Sequence, residues 1–264
     1  MAPLVSAAWL ADQLFDDDLR IIDCRFYLAE PERGYQEYLS GHIPGASYLS
    51  LDDHLTGAAG PGRHPLPDPV DFARTLSGIG IGNRHTVVAY DGSDSSMAAR
   101  LWWMLRSLGH ANAVVLDGGW ETWKAGPRST TTEVPEWEQA SLVLGSEWVG
   151  TIDRETIASR SEELSLVDSR AEARHRGEIE PIDPVAGHIP GSLNIPYQGN
   201  TDESGRFLPV EDLRRRFAAV STPAEVVVYC GSGVTACNNI LAMELAGVTG
   251  VTLYPGSWSD WCAS

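Results

Sequence analysis

The sequence predicts an α/β protein made of two copies of one domain, each a mainly parallel sheet flanked by helices. Three observations carry that expectation. Segments recur in the same order at a nearly constant offset. "GHIPGAS" at 41–47 returns as "GHIPGSL" at 187–193, "IIDCR" at 21–25 as "LVDSR" at 166–170, "VVAYDGSDSSMAA" at 87–99 as "VVVYCGSGVTACN" at 226–238, and "LDGGWETW" at 116–123 as "LYPGSWSDW" at 253–261. Two copies of this length are a duplicated domain rather than a solenoid, and each should have its own core. Short β-branched runs are apolar throughout rather than alternating, as in parallel strands covered on both faces. Stretches with helical spacing separate those runs.

In chain order, "SAAWLADQL" has helical spacing behind a Ser cap. "LRIIDCR", "HTVVAYD" and "AVVLDGG" read as strands of the first copy. "SMAARLWWMLRSLG" reads as a helix closed by Gly109. "VEDLRRRFAAV" and "TACNNILAMELAG" read as helices of the second copy. The stretch 125–148 is rich in Thr, Ser, Gly and Pro, which predicts an interdomain linker at 127–149 between domains at 1–126 and 150–264. A chain of 264 residues is comfortable for two domains of about 130.

Composition narrows the function. Apolar residues make up 43% of the chain, enough for real cores. A net charge of −17 argues against nucleic acid or an anionic membrane as partner. The first twenty residues have no basic start and no apolar core, with Asp16, Asp17 and Asp18 among them, so no ordinary signal peptide is expected. No apolar run is long enough to span a bilayer. The expectation is a cytoplasmic protein. Cys24, Cys230, Cys237 and Cys262 form neither a disulfide framework nor a zinc-site spacing. Cys24 and Cys237 read as small buried hydrophobes. Neither a metal nor a cofactor is expected.

Cys230 is different. It stands at the carboxyl end of a buried strand, where open α/β sheets bind ligands. Gly231 to Thr235 should form a tight loop, and Ala236 should open a helix. Glycines let backbone N–H groups turn inward, and a helix N-terminus adds partial positive charge. Both favour a thiolate, so Cys230 is a candidate nucleophile. A tyrosine-type phosphatase needs an arginine six residues after its cysteine, and here that residue is Ala236. The loop carries no cation, which disfavours phosphoryl transfer. Sulfur transfer through a cysteine persulfide is the other chemistry such a cradle serves.

On "CGSGVTAC", "GHIPG", "YDGSDSSMAARLWWMLRSLGH" and "YPGSWSDW", the whole chain resembles the tandem rhodanese-domain sulfurtransferases, and its loop is similar to that of the 3-mercaptopyruvate sulfurtransferases. The resemblance implies transfer of sulfur from mercaptopyruvate to Cys230, release of pyruvate, and passage of the persulfide to a thiol such as thioredoxin or to cyanide. A thiosulfate sulfurtransferase is the alternative, and a non-catalytic scaffold a remote one. The first copy has Asp91 where the second has Cys230, and Asp cannot carry sulfur. That copy should instead lend groups to a shared cleft. By resemblance Ser232, His64 and Asp52 form a Ser–His–Asp set, with Gly231, Gly233, Val234 and Thr235 lining the donor. Arg174 matches the first of two carboxylate-binding arginines. The second falls at Asp183, and Arg176 is the substitute considered. His42, His188, Arg25 and Arg170 recur in both copies and read as structural. The run at 214–216 reads as a solvated helix face, and most of the nine tryptophans follow the repeat into the cores.

Overall fold

The structure is a computed structural model describing residues 2–220 and 225–263. The chain forms two compact units. The first comprises the chain up to Thr56, Pro67–Val149 and Glu203–Arg206. The second comprises Gly57–Leu66, Gly150–Asp202 and the chain from Phe207.

The first unit holds β1 (Leu4–Val5), β2 (Leu19–Asp23), β3 (Ala46–Tyr48), β4 (Thr86–Tyr90) and β5 (Ala113–Leu116) in one parallel sheet of order β1-β5-β4-β2-β3. Its helices are α1 (Ala7–Asp12), α2 (Pro31–Ser40), α3 (Leu51–His54), α4 (Pro69–Gly78), α5 (Ser96–Ser107) and α6 (Gly119–Lys124). The second unit holds β6 (Leu164–Asp168), β7 (Leu193–Asn194), β8 (Glu225–Tyr229) and β9 (Val251–Leu253), also all parallel, in the order β7-β6-β8-β9. Around it lie α7 (Arg154–Arg160), α8 (Glu172–His175), α9 (Val210–Arg216), α10 (Ala236–Ala246) and α11 (Ser257–Trp261). Continuous apolarity in β4 and β8 reflects burial on both faces. Helix α10 has no polar face because it is buried nearly all round, Asn238 and Asn239 included.

The duplication holds down to individual atoms. Arg25 grips Asp23 at 2.6 Å, donates to the Gly41 carbonyl and lies over Trp120. Arg170 grips Asp168 at 2.6 Å, donates to the Gly187 carbonyl and lies over Trp258. His42 bonds the Tyr38 carbonyl and stacks on Tyr38, while His188 bonds the His175 carbonyl and stacks on His175. The two arginines tie the turn at Gly41 or Gly187 to the end of a strand, and the two histidines tie it to α2 or α8. Trp120 and Trp123 sit in the core of the first unit, and Trp258 with half-buried Trp261 in that of the second.

Three expectations need revision. Residues 127–149 are no free linker, because they pack on the first unit. His42 and Thr131 exchange backbone hydrogen bonds, Asn83 Nδ2 donates to the Val143 carbonyl, and Trp148 stacks on Trp103. Segment 57–66 groups with the second unit, since Arg63 N–H donates to Ser259 Oγ at 3.1 Å and its guanidinium pairs with Asp183. Of the 214–216 run, Arg214 and Arg215 are solvated. Arg216 turns inward, donates to Asn200 Oδ1 at 2.8 Å and to the Pro196 carbonyl, and burial lowers its pKa.

Candidate active site

Cys230 follows the last residue of β8 and is 2% exposed. Its loop is fixed by the first turn of α11, whose backbone N–H groups have no partner inside their own helix. Trp258 N–H donates to the Cys230 carbonyl at 3.0 Å, and Ser259 N–H to the Gly231 carbonyl at 2.9 Å. Ser257 Oγ accepts from Cys230 N–H at 3.1 Å and donates to the Tyr254 carbonyl. Gly233 has φ of +76°, and a Cβ there would lie 2.4 Å from the Pro255 carbonyl oxygen, so only glycine fits. Val234 is buried beside it, and half-buried Thr235 opens α10.

The first unit repeats this frame with a different occupant. Trp120 N–H donates to the Asp91 carbonyl and Glu121 N–H to the Gly92 carbonyl. The Asp91 carboxylate turns into its own loop and accepts from the N–H groups of Ser95, Met97 and Ala98 at 2.9–3.1 Å. The cradle is one that holds an anion, and here the chain supplies it. Burial and Asp94 push the Asp91 carboxyl up to about 7, against those three donors.

At the second loop the structure brings His64 and Ser232 together. His64 Nδ1 and Ser232 Oγ are hydrogen-bonded at 2.7 Å, and both residues are buried. Asp52 belongs to the first unit. It sits on α3 and lines a cavity of about 460 Å³ with Tyr35, Tyr48 and His54, and burial and Asp53 raise its carboxyl.

Two guanidiniums lie against Gly231. A Cβ there would meet Arg63 Nη2 at 2.9 Å and Arg174 Nη1 at 3.6 Å. Arg174, singled out in the sequence, places its guanidinium beside the loop at Gly231. Arg63 was not singled out, though it directly precedes His64 in "GRHPLP". Arg176 is no substitute: it is exposed and pairs with Glu172 and Glu178. The loop itself has no cation, yet cations reach it from two other segments. Asp183 joins them, accepting from Arg63 Nη1 on Oδ1 and from Arg174 Nη2 on Oδ2 at 3.2 Å. Glu180 takes the rest of Arg174 at 2.6 and 3.2 Å. Burial acts to raise the Glu180 carboxyl, but Arg174 and the N–H groups of Asp183 and Ile182 bring it below its ordinary value.

The other cysteines have no such setting. Cys24 is buried, with its thiol pushed well up by burial and by Asp23 and Asp91. Cys237 is buried and donates to the Gly233 carbonyl. Among the described residues no cluster of His, Cys, Asp and Glu could hold a metal ion, and no helix is long and apolar enough to cross a membrane.

The family model for the rhodanese-like domain covers residues 6–126 and again 153–264. The chain belongs to the rhodanese family. It is 42% identical to a Pseudomonas aeruginosa protein named "Probable 3-mercaptopyruvate sulfurtransferase", over 98% of this chain and 95% of the relative. It is 35% identical to the thiosulfate sulfurtransferase of Bos taurus, over 98% and 91%. The crystal structure of SseA from Escherichia coli, described under the rhodanese fold of 3-mercaptopyruvate sulfotransferases, superposes with a TM-score of 0.86 at 30% identity, over 98% of this chain and all of that one.

Proposed function

We propose that this protein is a sulfurtransferase that takes sulfur from 3-mercaptopyruvate onto Cys230, releases pyruvate, and passes the sulfur to a thiol or to cyanide. The observation that carries this reading is the Ser232–His64 hydrogen bond two residues beyond the candidate nucleophile. The Cys230 thiolate attacks the donor's sulfur. An S–S bond forms as the C–S bond breaks, and the electron pair of that bond passes into the enolate of pyruvate. With Nδ1 protonated, His64 donates to Ser232 Oγ and frees the serine hydroxyl to donate to the donor's carbonyl oxygen, where that charge collects. The donor's thiol proton ends on the methyl carbon, which leaves pyruvate and the Cys230 persulfide anion. The loop's backbone N–H groups suit that anion, as those of the duplicate loop suit a carboxylate.

Arg63 and Arg174 are the groups offered to the donor's carboxylate, with Gly231, Gly233, Val234 and Thr235 forming the floor. Asp52 is the proposed acid of the set, and slower turnover in Asp52→Asn would be its signature. The acceptor is a small protein thiol of the thioredoxin kind, in the cytoplasm. A second reading, thiosulfate as donor, is favoured by the two guanidiniums at Gly231, which would meet its two charges. Steady-state kinetics on both donors tests the choice. A higher kcat/KM for mercaptopyruvate is expected, and a higher value for thiosulfate would make the second reading right.

A further inference from the structure

We propose that Asp183 is a built-in competitor for the donor: its carboxylate occupies the Arg63–Arg174 pair, and a donor's anionic group must displace it. The inference rests on the reading of that pair as the donor's anion site. One Asp183 oxygen takes each guanidinium, the arrangement a bound carboxylate would adopt between two arginines. Both guanidiniums lie against Gly231, next to the nucleophile. The Asp183 side chain is only 3% exposed, so the pairing is sheltered from water and salt.

The surroundings equip the pair to outlast the exchange. Arg174 stays bound to Glu180 if Asp183 leaves. Arg63 keeps its backbone bond to Ser259, and its buried Nε has no hydrogen-bond partner among the described residues. Asp183 is held by the two guanidiniums alone on its carboxylate, with Arg170 adding a longer-range pull. Burial raises its carboxyl, Arg63 and Arg174 pull it down, and neighbouring Glu180 pushes it up again. It also lies between α8 and β7, in a stretch with neither helix nor strand, so its side chain can withdraw without breaking a ladder.

Equilibrium binding tests this without turnover. Pyruvate and sulfite are titrated into the full-length Cys230→Ser protein, alone and combined with Asp183→Asn, Asp183→Ala, Arg63→Ala or Arg176→Ala. Removing the internal carboxylate should tighten binding by about tenfold to hundredfold, as charged hydrogen bonds count roughly 1.5–3 kcal/mol. Either Asp183 variant should show the gain, so one that fails to fold does not remove the test. Arg63→Ala should weaken binding by at least about tenfold, and Arg176→Ala should change nothing. Unchanged or weaker binding in the folded Asp183 variants would overturn the proposal, since Asp183 would then only brace the arginines. Sulfur loading of the Cys230 protein is scored separately. Affinity that responds without loading refutes the transferase reading alone, and loading without the affinity change refutes the competitor alone.

Discussion

Ser232→Ala separates the two donors by the fate of their leaving groups. The substitution removes a hydroxyl 2.7 Å from His64 Nδ1, in a pair that is 6% and 8% exposed. Mercaptopyruvate leaves as an enolate and needs help at its carbonyl oxygen. Losing one positioned donor there typically lowers kcat by about 10²–10³. Sulfite leaves thiosulfate as a stable anion that needs no proton, so the thiosulfate rate should fall by less than about threefold, under about 0.7 kcal/mol of barrier. The variant also strips a buried imidazole nitrogen of this partner, which should cost about 1–3 kcal/mol of stability, so a urea titration must accompany the kinetics. Steady-state rates on both donors, at a temperature where the variant is folded, give the answer. Equal losses on the two donors would show that Ser232 only shapes the loop. No loss on mercaptopyruvate would remove it from the chemistry.

Two further outcomes follow from the duplication. Arg25→Ala and Arg170→Ala each strand a buried aspartate and should each cost about 3–5 kcal/mol in denaturant unfolding; a loss of turnover without a loss of stability in Arg170→Ala would contradict the structural role. Asp91 has its folded pKa raised to about 7 from an ordinary 3.8, so its contribution to stability is full below about pH 4 and is lost as pH rises to about 7. The stability of Asp91→Asn relative to wild type should therefore rise as pH rises across that range, and a difference that does not change with pH would refute the assignment.

Much of this was legible because duplication prints the same constraint twice. Arg25 and Arg170, or His42 and His188, recur with and without a cysteine at the strand end, and structure is what the two copies share. The strand–loop–helix around Cys230 was readable from local composition, since the demand for small residues is local. What was hidden depends on contacts distant in sequence. Arg63 meets Asp183 across 120 positions, and nothing near either residue announces it. Asp183 reads in sequence as a lost arginine, whereas in space it sits on two arginines. Arg176 looked suitable by proximity to Arg174, but its exposed side chain finds Glu172 and Glu178 on the surface. His64 could be assigned from resemblance alone; its bond to Ser232 depends on how segment 57–66 folds against the loop. The polar stretch at 127–149 looked like a linker because its packing runs through backbone bonds and two tryptophans rather than a periodic apolar face.

The central claim is that Cys230 alone receives the sulfur. Intact-mass measurement of the protein after treatment with mercaptopyruvate, beside Cys230→Ser treated alike, tests it most directly. Wild type should gain the mass of one sulfur atom, lose it again on addition of cyanide or a thiol, and the serine variant should gain none. Sulfur retained on Cys230→Ser, at Cys24, Cys237, Cys262 or elsewhere, would contradict the account.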